Sequence, residues 1–157
     1  RAGFPLTADL PPPARAGDFE QAPPLAAAVE VESIAGQLGA GRLLVVDART
    51  PERYAGEMEP IDPVAGHIPG ALNRAFKSNL RPDGRFKPAE VLRQEYQALL
   101  AGRAPVEVVH QCGSGVTACH SIIAMELAGL HGSALCPGSW SEWCADPARP
   151  VARGSEP

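Results

Sequence analysis

The stretch His110-Gln111-Cys112-Gly113-Ser114-Gly115-Val116-Thr117 constrains this chain more than any other. It follows an apolar run over residues 106–109 and opens a second over residues 118–130. The pattern reads as strand, glycine-punctuated loop and helix, with a cysteine as the first loop residue. Glycine adopts backbone conformations closed to other residues, so Gly113 and Gly115 let successive N–H groups turn inward. Such a turn makes an anion-binding nest, and the helix behind it adds the positive end of its dipole. A thiol held there is expected to ionise with a pKa depressed from about 8.5 into the range of roughly 3.5–7.5, and the thiolate is the nucleophilic form.

A second run, Leu43-Leu44-Val45-Val46, is apolar without interruption and ends in Asp47, as in a strand buried on both faces of a parallel sheet. Residues 31–38 read as a short helix ended by Gly39 and Gly41. Glu52, Arg53 and Tyr54 fit one helical turn, and Gly66-His67-Ile68-Pro69-Gly70 is a turn signal. Pro88 suits the first position of a helix running to Leu100, with Leu92, Tyr96 and Leu99 on one face. The helix after the cysteine loop carries one carboxylate, Glu126, and is expected to be buried on most sides. A last short strand at 134–136 precedes a turn or helix through Trp140 and Trp143. Strands alternating with helices predict an α/β fold, a parallel β-sheet with helices on both faces. Ligands of such sheets gather outside the carboxyl ends of the strands, where Asp47-Ala48-Arg49 and the Cys112 loop both fall.

Residues 29–150 form the expected domain. Residues 1–28, with a Pro11-Pro12-Pro13 run and few large apolar residues, read as a linker or strap that Phe4, Leu6 and Phe19 could anchor. Residues 151–157 read as a loose tail. The net charge of −4 gives no reason to expect nucleic acid or a membrane surface as partner, so attraction for an anionic substrate must be local. Four cysteines, at 112, 119, 136 and 144, have neither disulfide-framework nor zinc-site spacing, so no metal and no cofactor is expected. Free thiols suggest a reducing compartment. No apolar run reaches 18 residues and no signal-peptide core opens the chain, which makes a cytoplasmic location the expectation.

Four stretches taken in order resemble the rhodanese superfamily, and specifically the carboxyl-terminal catalytic half of two-domain thiosulfate and 3-mercaptopyruvate sulfurtransferases. They are Asp47-Ala-Arg49 with Arg53-Tyr54-x-Gly56; Gly66-His-Ile-Pro-Gly-Ala71; Cys112-Gly-Ser-Gly-Val-Thr117; and Gly138-Ser-Trp-Ser-Glu-Trp143. The resemblance implies that Cys112 takes a sulfane sulfur as a persulfide and passes it to cyanide, a thiol or thioredoxin. It implies that N–H groups from Gly113, Ser114, Gly115, Val116 and Thr117 hold the small anionic donor. Arg53 matches the arginine that grips the donor, and its fork could hold a carboxylate through two bonds. The Gly-Ser-Gly loop is similar to that of mercaptopyruvate enzymes. Those enzymes also carry a second arginine before the Gly-His-Ile-Pro-Gly turn, whereas residues 57–65 here hold Glu57, Glu59 and Asp62 and no arginine. The linker-like start resembles the join to a preceding rhodanese domain.

Plainer roles compete for several of these residues. Cys112 could be a small buried hydrophobe, the role expected of Cys119 and Cys136, with Cys144 incidental. His67 is expected to stabilise its turn, and His110 could sit near the thiolate. Asp47 is expected to pin the neighbouring loop, Arg49 to pair with Asp47 or Glu142, and the two tryptophans to close the core. Two other functions compete: a persulfide carrier or regulatory rhodanese module acting on a protein partner, and a cysteine phosphatase or arsenate reductase. The last needs Cys-x5-Arg, and the sixth residue after Cys112 is Ala118.

Overall fold

A computed structural model describes residue 3 and residues 7–10, 12–13 and 17–157. Four strands, β1 (Leu44–Asp47), β2 (Leu72–Asn73), β3 (Val108–Gln111) and β4 (Ala134–Leu135), form one parallel sheet in the order β2-β1-β3-β4. Alternation along the central strands divides the core in two. Val45 and Val109 pack with α1 (Val31–Ala35) and with Trp140 and Trp143 of α5 (Ser139–Ala145). Val46 and Val108 turn the other way, onto Leu92 and Tyr96 of α3 (Ala89–Leu100) and Ala124 and Met125 of α4 (Val116–Leu127). Helices therefore cover both faces of the parallel sheet. Each fully buried large side chain here contributes about 1.5–3 kcal/mol.

The chain leaves β1 toward β2 on one side and β3 toward β4 on the other. The order reverses between β1 and β3, and their carboxyl ends open the crevice where such sheets bind ligands. Ala48, one residue past β1, donates its N–H to the Gln111 carbonyl (2.8 Å), which holds the two ends side by side. A short helix α2 (Pro51–Ala55) follows and ends on Gly56 at φ 77°.

Four expectations need correction. Strand β3 starts at Val108, because Pro105–Glu107 form a 3-10 turn in which the Glu107 carboxylate accepts the Ala104 N–H (2.7 Å); Val106 is left exposed. Pro88 caps α3 from outside, with extended backbone, and accepts the Leu92 N–H through its carbonyl (3.0 Å). Helix α4 is covered on most sides, as expected, and leaves one narrow stripe, Val116, Cys119, Ile123 and Leu127 at helical spacing, exposed. Phe19 anchors nothing, being 90 % exposed, while Phe4 and Leu6 lie outside the described residues. The strap does join the sheet edge at its end, where Leu135 donates to the Ala27 carbonyl and Val29 to that of Leu135. Finally, the tail is not loose over residues 152–154. Ala152 exchanges backbone hydrogen bonds with His67, and Gly154 donates to the Ala55 carbonyl (2.9 Å). A Cβ on Gly66 would lie 2.4 Å from the Ala152 oxygen, so glycine is what lets the tail dock.

Candidate active site

Cys112 is the first residue after β3, and α4 begins four residues later, with Gly115 as its N-cap at φ 80°. Only glycine fits there without strain, and a Cβ would lie 2.6 Å from the Pro137 oxygen. The segment entering α5 fixes the other side of the loop. Ser139 Oγ accepts the Cys112 N–H (3.1 Å) and donates to the Cys136 carbonyl (2.8 Å). Trp140 and Ser141 donate their N–H groups to the carbonyls of Cys112 (3.0 Å) and Gly113 (2.9 Å). Ser139 pays for this position with φ 52°, a left-handed conformation that non-glycine residues rarely hold.

With its carbonyls and the cysteine N–H tied back, the loop keeps its remaining donors. From Gly113 to Thr117, no backbone N–H has a hydrogen-bond partner among the described residues. Those of Val116 and Thr117 belong to the first turn of a twelve-residue helix, where they add to its positive end. A cavity of ≈ 180 Å³ opens on Cys112, Gly113, Ser114, Val116 and Thr117. Arg53, Ile61, Asp62 and Ser141 complete its wall. The Cys112 side chain is thus nearly buried yet reached through this cavity.

Arg53 stands where the sequence places it, but its fork is taken. Nε and Nη2 meet the two oxygens of Glu59 (3.2 and 2.6 Å), and Nη2 also meets Asp62 (3.1 Å). Nη1 has no partner among the described residues and faces the loop, 3.6 Å from where a Gly113 Cβ would lie. The two-bond grip on a donor is therefore replaced by one open nitrogen. Glu59 is shared with Arg49 (3.3 Å), whose guanidinium is itself paired to Asp47 (2.6 Å) and lies over the Trp140 ring. Burial pushes the Glu59 carboxyl upward. Hydrogen bonds from Arg53 and from the N–H groups of Asp62 and Ile61 outweigh it and hold the group below the usual range, ionised. Ser141 Oγ donates to the remaining Asp62 oxygen (2.6 Å), linking this network to the cysteine loop.

The other candidates divide. Arg49 pairs with Asp47 and not with Glu142. Asp47 pins its loop as expected, accepting the Arg49 N–H (2.8 Å). His67 stabilises its turn, stacked on Tyr54 with Nδ1 2.8 Å from the Tyr54 carbonyl. His110 turns away into the core beside Met125 (3.0 Å), where burial lowers its pKa to about 4. Cys136 and Cys144 are buried and their thiol pKa values raised by that burial, so both stay protonated. Cys119 does not fill the core but is exposed on α4. Sequence reasoning missed the roles of Ser139, Ser141, Glu59 and Asp62. The carboxylates could have been suspected from two acids beside one unpaired arginine; Ser139 gave no signal beyond following a glycine at a strand end.

A crossed parallel sheet with a cysteine loop and helix N-terminus at its switch point matches the rhodanese-like domain pattern over residues 30–146, and the chain belongs to that family. It is 53% identical over 140 residues to a Pseudomonas aeruginosa protein named "Probable 3-mercaptopyruvate sulfurtransferase", covering 89% of this chain and 49% of that protein. Against the 3-mercaptopyruvate sulfurtransferase of Homo sapiens, identity is 37% over 145 residues, 91% of this chain and 48% of the relative. The chain thus spans about half the length of the curated relatives it matches. Among solved structures, the Tum1 protein from Saccharomyces cerevisiae superposes with a TM-score of 0.70 at 24% identity, over 83% of this chain and 47% of that one. That likeness concerns the fold.

Proposed function

We propose that this chain is a sulfurtransferase domain in which Cys112 carries the transferred sulfur. The observation that carries the reading is the run of unpartnered N–H groups from Gly113 to Thr117 around a cysteine held at a helix N-terminus. Such donors stabilise negative charge without reorganising, and every step here brings negative charge to, or takes it from, the sulfur at Cys112. With thiosulfate, the Cys112 thiolate attacks the outer sulfur, the S–S bond breaks, and sulfite leaves with the electron pair. With 3-mercaptopyruvate, the C–S bond breaks and the pyruvate enolate leaves, then takes a proton. Either way Cys112 becomes a persulfide. Cyanide or the thiolate of a small thiol or thioredoxin then attacks the terminal sulfur. Its bond to Cys112 breaks and the thiolate returns. The names of the curated relatives support both donors. Arg53 binds donor through Nη1, and the N–H groups of Gly113, Ser114, Gly115, Val116 and Thr117 bind the anion.

A protein partner, either a preceding rhodanese domain or a protein acceptor, is favoured by one feature: the exposed apolar stripe Val116, Ile123 and Leu127, which runs along α4 away from the loop. The phosphatase reading finds no support, since the residue that would be arginine is the buried Ala118.

Intact mass after incubation with thiosulfate or 3-mercaptopyruvate tests the reading. A gain of one sulfur atom, mapped to Cys112, absent in Cys112→Ser and discharged by cyanide, is expected. Failure of both donors to load the wild-type protein refutes it.

A further inference from the structure

The carboxylates wrapped around Arg53 carry a consequence for which donor the site accepts. Two guanidiniums, Arg49 and Arg53, meet three carboxylates, Asp47, Glu59 and Asp62, within one connected set of ion pairs. The network therefore carries one negative charge in excess, before the Cys112 thiolate is added. Asp62 lines the cavity itself, and Glu59 and Asp62 are almost entirely shielded from solvent, so water screens them weakly. The arginine that should attract an anion is thus already compensated by carboxylates, one of them in the cavity wall.

We propose that Glu59 and Asp62 form an electrostatic filter at the cysteine, selecting singly charged or neutral sulfur donors over doubly charged ones. This rests on the sulfurtransferase reading of the same site. Thiosulfate carries two negative charges and must lodge both beside the Asp62 carboxylate. 3-Mercaptopyruvate carries one, at the end remote from its sulfur. A single Nη1 matches one carboxylate oxygen, whereas a sulfonate-like end with three oxygens calls for more donors than the free side of Arg53 offers. The loop N–H groups act on both donors alike. The discrimination therefore falls to the carboxylates.

At roughly 6 Å and an effective dielectric constant between about 20 and 40, each extra unit of donor charge meeting one carboxylate changes affinity about 10- to 100-fold. The test compares kcat/KM for thiosulfate with that for 3-mercaptopyruvate in wild type, Asp62→Asn, Glu59→Gln and Glu57→Gln. Glu57 is an exposed acid in the same loop that forms no ion pair with Arg53. The thiosulfate-to-mercaptopyruvate ratio is expected to rise at least 10-fold in Asp62→Asn and Glu59→Gln and to move less than twofold in Glu57→Gln. A second readout needs no sulfur transfer. The rates at which iodoacetate and iodoacetamide alkylate Cys112, followed by peptide mass mapping, compare an anionic with a neutral reagent at the same atom. Their ratio should rise in Asp62→Asn. If no donor loads Cys112 but this alkylation ratio rises, the sulfurtransferase reading fails and the filter stands. Unchanged ratios in folded Asp62→Asn, in both assays, overturn the filter itself.

Discussion

Gly113 and Gly115 lie two residues apart in the same loop, yet alanine should fail at each for a different reason. At Gly115 the backbone is left-handed, φ 80°, which costs an L residue about 1–2 kcal/mol. The new methyl would also lie 2.6 Å from the Pro137 oxygen and 3.3 Å from the Pro137 carbonyl carbon and Cα. Those atoms are backbone on the segment that leads to Ser139 and cannot rotate away. Overpacking of this kind costs about 1–3 kcal/mol. Gly115→Ala should therefore lose about 2–5 kcal/mol, against a total stability of about 5–15 kcal/mol for such a domain. Gly113 has no positive φ, and its methyl would rest 3.6 and 3.7 Å from the Arg53 nitrogens, ordinary contact distance. Gly113→Ala should cost less than about 1 kcal/mol. Its methyl nevertheless stands between the loop and Arg53 Nη1, and sulfur loading of Cys112 should slow at least 10-fold. Urea unfolding read by tryptophan fluorescence suits both variants, because the only two tryptophans, Trp140 and Trp143, are fully buried and Trp140 bonds to Cys112. A Gly115→Ala protein as stable as wild type, or a Gly113→Ala protein that loads at the wild-type rate, would refute the geometry.

Arg49→Met strips Asp47 of its partner inside the core and should cost about 3–5 kcal/mol by urea denaturation. Ser139→Ala leaves the Cys112 N–H and the Cys136 carbonyl unpaired. A loss of about 1–3 kcal/mol should accompany slower persulfide formation, measured by the same mass assay. His110 is neutral when folded, with its pKa lowered to about 4 by burial, against 6.5 unfolded. Between those values the unfolded chain binds more protons, so stability should fall as pH drops from about 6.5 to 4, by up to about 3 kcal/mol. His110→Gln should flatten that part of the pH–stability curve.

Much of the fold could be read from local pattern. The run Leu43–Val46 and the pair Val108-Val109 are uninterrupted apolar stretches that strands bury on both faces, although β3 carries that burial on through the polar His110 and Gln111. The cysteine loop was legible because Gly113 and Gly115 have no other reason to sit between a strand and a helix. What stayed hidden depends on contacts distant in sequence. The outer face of α4 looks like core by composition, and only the sheet's position decides which side is covered. Arg53 reads as a free cation until residues 59 and 62 fold back over it. Ser139 meets Cys112 across 27 positions, and no local pattern announces that.

The pairing of Ala152 with His67 bears on where this folding unit stops. The family pattern ends at residue 146, but the last backbone hydrogen bond to the body of the domain is made by Gly154. In between, Pro150 accepts the Trp143 indole N–H (2.9 Å), Arg153 reaches the Ala65 carbonyl (3.2 Å), and Ala152 closes on the turn that carries His67. These residues act as a hasp over the Gly66–Gly70 corner, and through the His67–Tyr54 stack they brace the short helix that presents Arg53. An expression boundary drawn at the end of the recognised pattern would keep every residue around Cys112 and still unlatch the arginine opposite it.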